Sequence, residues 1–487
     1  VDTSPGTEDD QDPVAAAVPV SGTEAVDAAV QAAETVLTRR FGSAIGLVDP
    51  EALPGSGPAT VVRARIAASP FGLPRTLVIK HYPEAPPRGV ADPFAQEAVS
   101  YQLFTALPAE DRMCPELLAH DGPLRVIVID DLGRAPTLWD KLRGDDARLA
   151  ERALLSWARS LGRLHATTAG READFEALLR RLGGFVPDED TTPAVACARL
   201  PTLLEEAVGV GTPDEVRAYA ERVCEASAAS SYRAFSPVDL SPDNNLVTSG
   251  GVQFLDFERG LVRDALVDAA HLRVPFATCA DARALPTGMS EAMVAAWKAE
   301  VSGVWPALAD NEVLTAHLLD HQMLLVWVTT WADLGGAAVA PGWPASLGRG
   351  TSVGRATSAG RAASAGQEVS PGRATSAGRP GMPAAPGAGA PVSSERAPSP
   401  AHEVSPGLEV SSGRAASAGR GATPGSRARA GVSSGRAAAL VSWWKDLAVY
   451  AERGGKDEVA THARTVAAAL DERFGPGLEL PLYPAFR

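Results

Sequence analysis

The fold class predicted by the sequence is α+β and bilobal: a small β-rich lobe, then a large helical lobe interrupted by a long disordered insertion. Three observations carry it. Residues 58–84 read as strands, in "ATVVRARIAAS" and "RTLVIKHY", with "PFGLP" between them. From about residue 136 the apolar spacing is mostly helical, as in "ERALLSWARSLGRLHATTAG". Residues 341–437 then change composition entirely.

In chain order, residues 1–22 are acidic and rich in Pro, Ser and Thr, with little to bury, and are expected to be disordered. Val26, Val30, Ala33 and Leu37 predict a helix from Glu24, and the two β-runs after it predict a hairpin or meander. In "DPFAQEAVSYQLFTALP", Asp92 suits an N-cap and Pro93 the first helical position. "RVIVIDDLG" at 125–133 predicts a buried strand leading to the second lobe. Within that lobe, residues 236–258 stand out, two β-like runs flanking Ser249-Gly250-Gly251, a hairpin signal. In 341–437, "GRATSAGR" occurs at 354–361 and 372–379, and "EVSPG" at 368–372 and 403–407. These repeats hold almost nothing apolar beyond Ala and Val, so no stacked core can form and disorder is expected. Helical patterns resume in "ALVSWWKDLAVYAERGG" and "KDEVATHARTVAAALDERF". The expected segments are a tail at 1–22, a β-rich lobe at 23–135, a helical lobe at 136–340, the insertion at 341–437 and closing helices at 438–487.

The 487 residues are enough for two or three ordinary domains or one large bilobal one, and a hydrophobic content of 45% supports a real core. Four cysteines far apart give neither a zinc spacing nor a disulfide framework, and reduced cytoplasmic thiols are the simplest reading. No signal-peptide pattern opens the sequence, and "HLLDHQMLLVWVTTWADLGG" is interrupted by Asp320, His321 and Asp333, so no membrane span is expected. The net charge of −14 is uneven: the insertion carries eleven Arg and four Glu, or +7, leaving −21 elsewhere. An acidic body argues against a nucleic-acid partner, and is compatible with a cationic substrate or with solubility alone.

Five polar residues stand where plain structure would not put them. Lys80 is one of only five lysines, in a chain that otherwise uses arginine, and ends a β-run in phase with Thr76 and Val78. Glu97 shares a helical stripe with Phe94, Tyr101 and Phe104 and wants a cation. In "PVDLSPDNNLV", at 237–247, Asp239 and Asn244 have the D-L-x-x-x-N spacing of a phosphoryl-transfer catalytic loop. Asp256, in "VQFLDFE", is expected in phase with Val252 and Phe254, close enough to Asn244 for an oxygen-rich magnesium site. "SPDN" alone would be an ordinary turn; the ordered set of five is not explained that way. Asp264 and Asp268 have two readings, contact with an amine-bearing substrate or capping and pairing with Arg263 and Arg273.

With these residues in place, the chain resembles the aminoglycoside phosphotransferase and choline kinase-like family, relatives of the protein kinases. The resemblance covers roughly 45–335 and 438–487. It rests on "LVIK", "FAQEA", "VIVIDDLG", "LGRLHA", "DLSPDN", "FLDFE" and "RDALVDAAHL". It implies a protein-kinase-like fold and transfer of a phosphoryl group from ATP or GTP to the hydroxyl of a small molecule such as an aminoglycoside, amino sugar or amino alcohol. Lys80 and Glu97 would serve the nucleotide phosphates, with Gly55 and Gly57 in the covering loop and Ile129, Asp130, Asp131 and Leu132 at the nucleobase. Asp239 would be the catalytic base, and Asn244 and Asp256 would hold Mg²⁺. No membrane partner is implied. The sequence departs from the family where His-Gly usually precedes the catalytic aspartate: here Pro237 and Val238 stand instead. A kinase-like module that binds nucleotide without turnover is the alternative. Metal-dependent hydrolysis through Asp239, Asp243 and Asp256 is a third reading that leaves Lys80 and Glu97 unexplained.

Overall fold

The computed structural model describes residues 22–55, 57–67, 73–87, 90–184, 192–335 and 432–487. The expected tail up to residue 21, and residues 341–431 of the expected insertion, lie outside them.

The first lobe is a sheet with a helix on one face. Helix α1 (Gly22–Phe41) buries Ala29, Ala33, Val36 and Leu37. Strands β1 (Leu47–Ala52), β2 (Thr60–Ile66), β3 (Thr76–His81), β4 (Leu117–Asp121) and β5 (Val126–Asp130) form one antiparallel sheet in the order β1-β2-β3-β5-β4. Period-2 alternation divides its side chains. Leu77, Ile79, Val126 and Val128 pack under α1, whereas Ile127 and Ile129 join the core shared with the second lobe. Helix α2 (Pro93–Thr105) lies on that second side. Asp92 caps it by accepting from the Phe94 N–H at 3.1 Å, and Arg125 grips both oxygens of Asp92 at 2.8 Å.

The second lobe begins with α3 (Leu138–Arg143), which opens on a Thr137/Asp140 capping box, and α4 (Ala147–Thr168), capped by Asp146. Helices α5 (Glu172–Arg181), α6 (Thr192–Val208) and α7 (Asp214–Ala228) follow. Two short pairs carry the polar loops, β6 (Arg233–Ser236) with β9 (Leu261–Asp264), and β7 (Asn245–Thr248) with β8 (Gly251–Phe254). Beyond them come α8 (Ala265–Ala269) and α9 (Met289–Val301). Helix α4 takes α9 against Gly162, where a Cβ would lie 2.8 Å from the Trp297 carbonyl oxygen.

Helices α10 (Asn311–Gly335), α11 (Ser434–Arg453) and α12 (Asp457–Phe474) complete a second core around Leu325, Trp327, Trp443 and Trp444. The junction between α10 and α11 is tight. Asp333 and Arg436 form an ion pair at 2.6 Å, and the Trp444 Nε1–H donates to Thr330 Oγ1 at 2.9 Å. Helix α11 starts inside the expected insertion. Ser433 caps it, and Ala437, Ala438 and Ala439 are buried, so the "GRAAA" segment that reads like a repeat is recruited by tertiary packing. Among the described residues no helix is long and apolar enough to cross a membrane. The described residues form the bilobal α+β arrangement predicted above, a small lobe built on a five-stranded antiparallel sheet and a large helical lobe.

Candidate active site

The site is built from three elements that meet where the lobes join. The first is β3. Its alternation sends Leu77 and Ile79 under α1 and Lys80 the other way, into a nearly closed position 8% exposed. The second is α2, whose Glu97 is fully buried. Lys80 Nζ lies 2.5 Å from Glu97 Oε1 and 2.7 Å from Asp256 Oδ1, so one ammonium bridges the helix and the segment after β8. Tyr82 donates its hydroxyl to Glu97 Oε2, and the Phe257 N–H donates to Glu97 Oε1 at 3.2 Å. Burial works to lower the Lys80 pKa, but the Glu97 and Asp256 carboxylates and their hydrogen bonds outweigh it and hold the ammonium above its ordinary range. Glu97 is pushed up, by burial first and by Asp256, with Lys80 pulling against both. A buried carboxylate there needs its cation, and removing either partner strands the other.

The third element is the β7–β8 hairpin with the loops on either side. Asn245 pairs with Phe254, and the Leu255 N–H donates to the Asn244 carbonyl at 2.8 Å, which sets Asn244 beside the segment carrying Asp256. The alternation expected to aim Asp256 does not reach it. Strand β8 ends at Phe254, and Asp256 adopts φ 64°, a left-handed turn that faces its side chain toward Lys80 instead of continuing with Val252 and Phe254 into the core. Phe257 then anchors the segment, stacked on Phe104 at 5.6 Å and edge-on to Phe235 at 5.2 Å. Asp239 is half-buried between the buried Val238 and Leu240, and its Oδ1 accepts from the Ser241 N–H at 3.0 Å. "SPDN" does form a turn, a single 3-10 turn from Pro242 to Asn244.

Val238 has φ 65°, where glycine is at ease and a β-branched residue is strained. A buried polar chain holds it there. The Val238 N–H donates to Ser236 Oγ at 3.0 Å, and Ser236 donates to Asp268 Oδ1 at 2.9 Å. Asp268 is shared with Arg263 at 2.5 Å and His165 at 3.2 Å, and Trp297 donates to the other nitrogen of His165 at 3.0 Å. This corrects the substrate reading of Asp264 and Asp268. Asp268 is fully buried beneath the loop, and Asp264 caps α8 while bonding His321 at 2.7 Å. The oxygens of both carboxylates are committed inside the lobe, which leaves their second reading, capping and pairing, as the one observed. Arg273, the other pairing partner considered, makes no ion pair with either among the described residues.

The nucleotide-side residues divide. Gly57 comes close to the site: a Cβ there would lie 2.9 Å from Glu258 Oε2, so the β1–β2 connection passes directly over that carboxylate. Gly55 meets only Val61, at ordinary contact distance. Ile129 faces the shared core. Asp130 turns to the α1 side, lining a hollow with Arg40 and Phe41, and Asp131 is clamped by Arg63 at 3.0 and 3.1 Å. Asp130 is thus on the α1 face, whereas Asp131 follows Arg63 onto the sheet face that carries Lys80, with its carboxylate already engaged there.

Sequence reasoning assigned no role to Glu258, Tyr82, Ser236 or His165. Glu258 was legible in "FLDFE" as a second acid two residues past Asp256. Burial and then the Asp256 charge push its carboxyl up to about 7. The donor set at the hairpin end, a carboxylate of Asp256 and the amide oxygen of Asn244, is all hard oxygen and fits magnesium. Lys80, already bridging to Asp256, fits the phosphate oxygens such a cation would carry.

Comparison with solved structures finds similar chains at low identity. A choline/ethanolamine kinase family protein from Mesorhizobium loti is 17% identical over 59% of this chain and 79% of its own, with a TM-score of 0.35. A choline kinase from Streptococcus pneumoniae is 12% identical over 62% and 90%, with a TM-score of 0.34. An aminoglycoside-3'-phosphotransferase of type VIII is 19% identical over 62% and 99%, with a TM-score of 0.32. No family model and no curated protein matches the chain. Likeness at this level carries no argument about activity, which has to come from the side chains.

Proposed function

We propose that the chain is a small-molecule kinase that transfers the γ-phosphoryl group of ATP or GTP to a hydroxyl acceptor. The observation that carries the reading is the Glu97–Lys80–Asp256 bridge with Asn244 alongside. A scaffold gains little from holding two carboxylates on one buried ammonium, whereas a nucleotide site uses that ammonium on phosphates and one of the carboxylates on a metal. Bound Mg²⁺ would bridge phosphate oxygens and neutralise developing charge. Asn244 and Asp256 would hold it. Lys80 would meet the α- and β-phosphates with Glu97 fixing its position, and the loop at Gly57 would cover them. Asp239 would orient the acceptor hydroxyl and take its proton on the oxygen not engaged by Ser241. As a consumer of nucleoside triphosphate the enzyme would work in the cytoplasm, without a nucleic-acid or membrane partner.

An amine-bearing acceptor, such as an aminoglycoside, amino sugar or amino alcohol, suits the charge beside Asp239. Cys279 lies close by, and its thiol is pushed up to about 11 by burial and by the carboxylates of Asp243, Asp281 and Asp239. Asp281 is shared with Arg283 at 3.0 Å, whereas Asp239 keeps one carboxylate oxygen beyond the one that accepts from Ser241.

The test is a screen of amino sugars and amino alcohols with magnesium and ATP or GTP, followed by two variants. Asp239→Asn should lower turnover about 10²–10⁴-fold with nearly unchanged nucleotide affinity. Asp256→Asn should weaken Mg-nucleotide binding as well as rate. A module that binds without turnover would show nucleotide binding, no transfer from the wild type and no such split. Wild-type rates for Asp239→Asn on an identified acceptor would refute the role given to that residue.

A further inference from the structure

A second cavity of about 390 Å³ opens among α9, α10 and α11, away from the candidate active site. Tyr450 lines it, and Arg436, which donates to the Cys279 carbonyl at 3.3 Å, sits on the same helix. The fourteen helical steps from one to the other on α11 amount to roughly 21 Å at 1.5 Å per residue.

The unusual group in this cavity is Arg273. Its side chain is only 8% exposed, its guanidinium lies over the Tyr450 ring at 4.3 Å, and its Nη1 is buried without a hydrogen-bond partner. Among the described residues no carboxylate lies within ion-pair distance of it. Burial draws its pKa down against the weaker pull of Tyr450 and Glu291. A buried, unpaired guanidinium is costly unless something supplies the missing anion. Lys298 lines the same cavity and donates to Asn311 Oδ1 at 2.7 Å, with two further N–H groups to offer. Glu291 is the one carboxylate in the wall, and it already accepts from the Tyr450 hydroxyl at 3.0 Å.

We propose that this cavity binds a small organic monocarboxylate, with its carboxylate on Arg273 and Lys298 and its hydrocarbon body against Val294, Ala295 and Leu314. Arg273, Lys298 and Arg453, whose guanidinium lies over the same Tyr450 ring at 5.7 Å, outnumber Glu291, so the site calls for an anion. The planar guanidinium fork matches a carboxylate, and the aliphatic wall favours an apolar body over a polyhydroxylated one.

Thermal unfolding and calorimetric titration of the full chain, with sodium benzoate and inorganic phosphate at matched ionic strength, test this. Benzoate should raise the melting temperature saturably, and phosphate should not. Arg273→Met should weaken benzoate binding about tenfold or more, the loss of a charge-assisted hydrogen bond. Its unliganded melting temperature should hold or rise, because a stranded charge has gone. Lys298→Met, on the half-exposed side of α9, should fold normally and also bind benzoate more weakly. It decides the matter if Arg273→Met fails to fold. The proposal is overturned if benzoate gives no saturable shift with the wild type, if it binds both variants as tightly as the wild type, or if phosphate binds as tightly as benzoate.

Discussion

Val238 shows what one residue tolerates for the sake of its neighbour. Its left-handed backbone, at φ 65°, costs a β-branched residue about 1–3 kcal/mol, yet the side chain is 1% exposed and contributes apolar burial of similar size. The two effects oppose in Val238→Gly, so its unfolding free energy should stay within about 1 kcal/mol of the wild type. Val252→Gly removes an equally buried valine from an ordinary strand and should cost about 3 kcal/mol or more. Chemical denaturation of both variants checks the contrast, and equal losses would show that the strain is not real. The sequence exposed the substitution of Pro-Val for His-Gly but not its remedy. Ser236 and Asp268 hold the loop through a hydrogen-bonded chain between residues 32 apart, which no local pattern announces. Lys80 and Glu97 were legible for the opposite reason, Lys80 as a rare lysine ending a β-run and Glu97 as a charge on an apolar helical stripe.

At the scale of elements, legibility followed burial. Strands β2, β3 and β5 form the inner part of the sheet and alternate clearly, whereas β1 and β4 are its two edges and went unpredicted. Strand β1, "LVDPEA", contains a proline and has mostly exposed residues, as edges commonly do. Strands β6 and β9 are four residues each, too short to show a period. The pairing of α11 with α12 gives a pH prediction. His462 is buried beside Trp444, and burial lowers its pKa from 6.5 to about 4. The unfolded chain therefore binds a proton that the folded chain refuses between about pH 6.5 and 4. This histidine's share of stability is complete above that window and lost as pH falls through it. His462→Leu should flatten the acid side of the stability curve by roughly 1 kcal/mol per pH unit in that range, measured by denaturant unfolding at several pH values. Parallel curves for the two proteins would show that His462 is already charged in the fold.

For the whole molecule, the helices that flank the long insertion are joined independently of it. The Asp333–Arg436 ion pair and the Trp444–Thr330 hydrogen bond bring the end of α10 to the start of α11. Replacing residues 341–431 with a short Gly-Ser linker should therefore leave cooperative unfolding and nucleotide binding intact, as read by calorimetry and titration. Loss of the cooperative transition would mean that the segment contributes to the core. Breaking the clasp should do what shortening the connection does not. Arg436→Ala strands the buried Asp333 carboxyl, already pushed up by its burial, and should cost about 3–5 kcal/mol.

That clasp also sets how freely this part of the gene can vary. Closing a flexible loop costs only about 0.6 kcal/mol more for each doubling of its length, so once the two anchor points are fixed the intervening text is nearly unconstrained in size. The position is a natural splice point, where a reporter domain or an affinity module could be written into the chain while both lobes assemble around it.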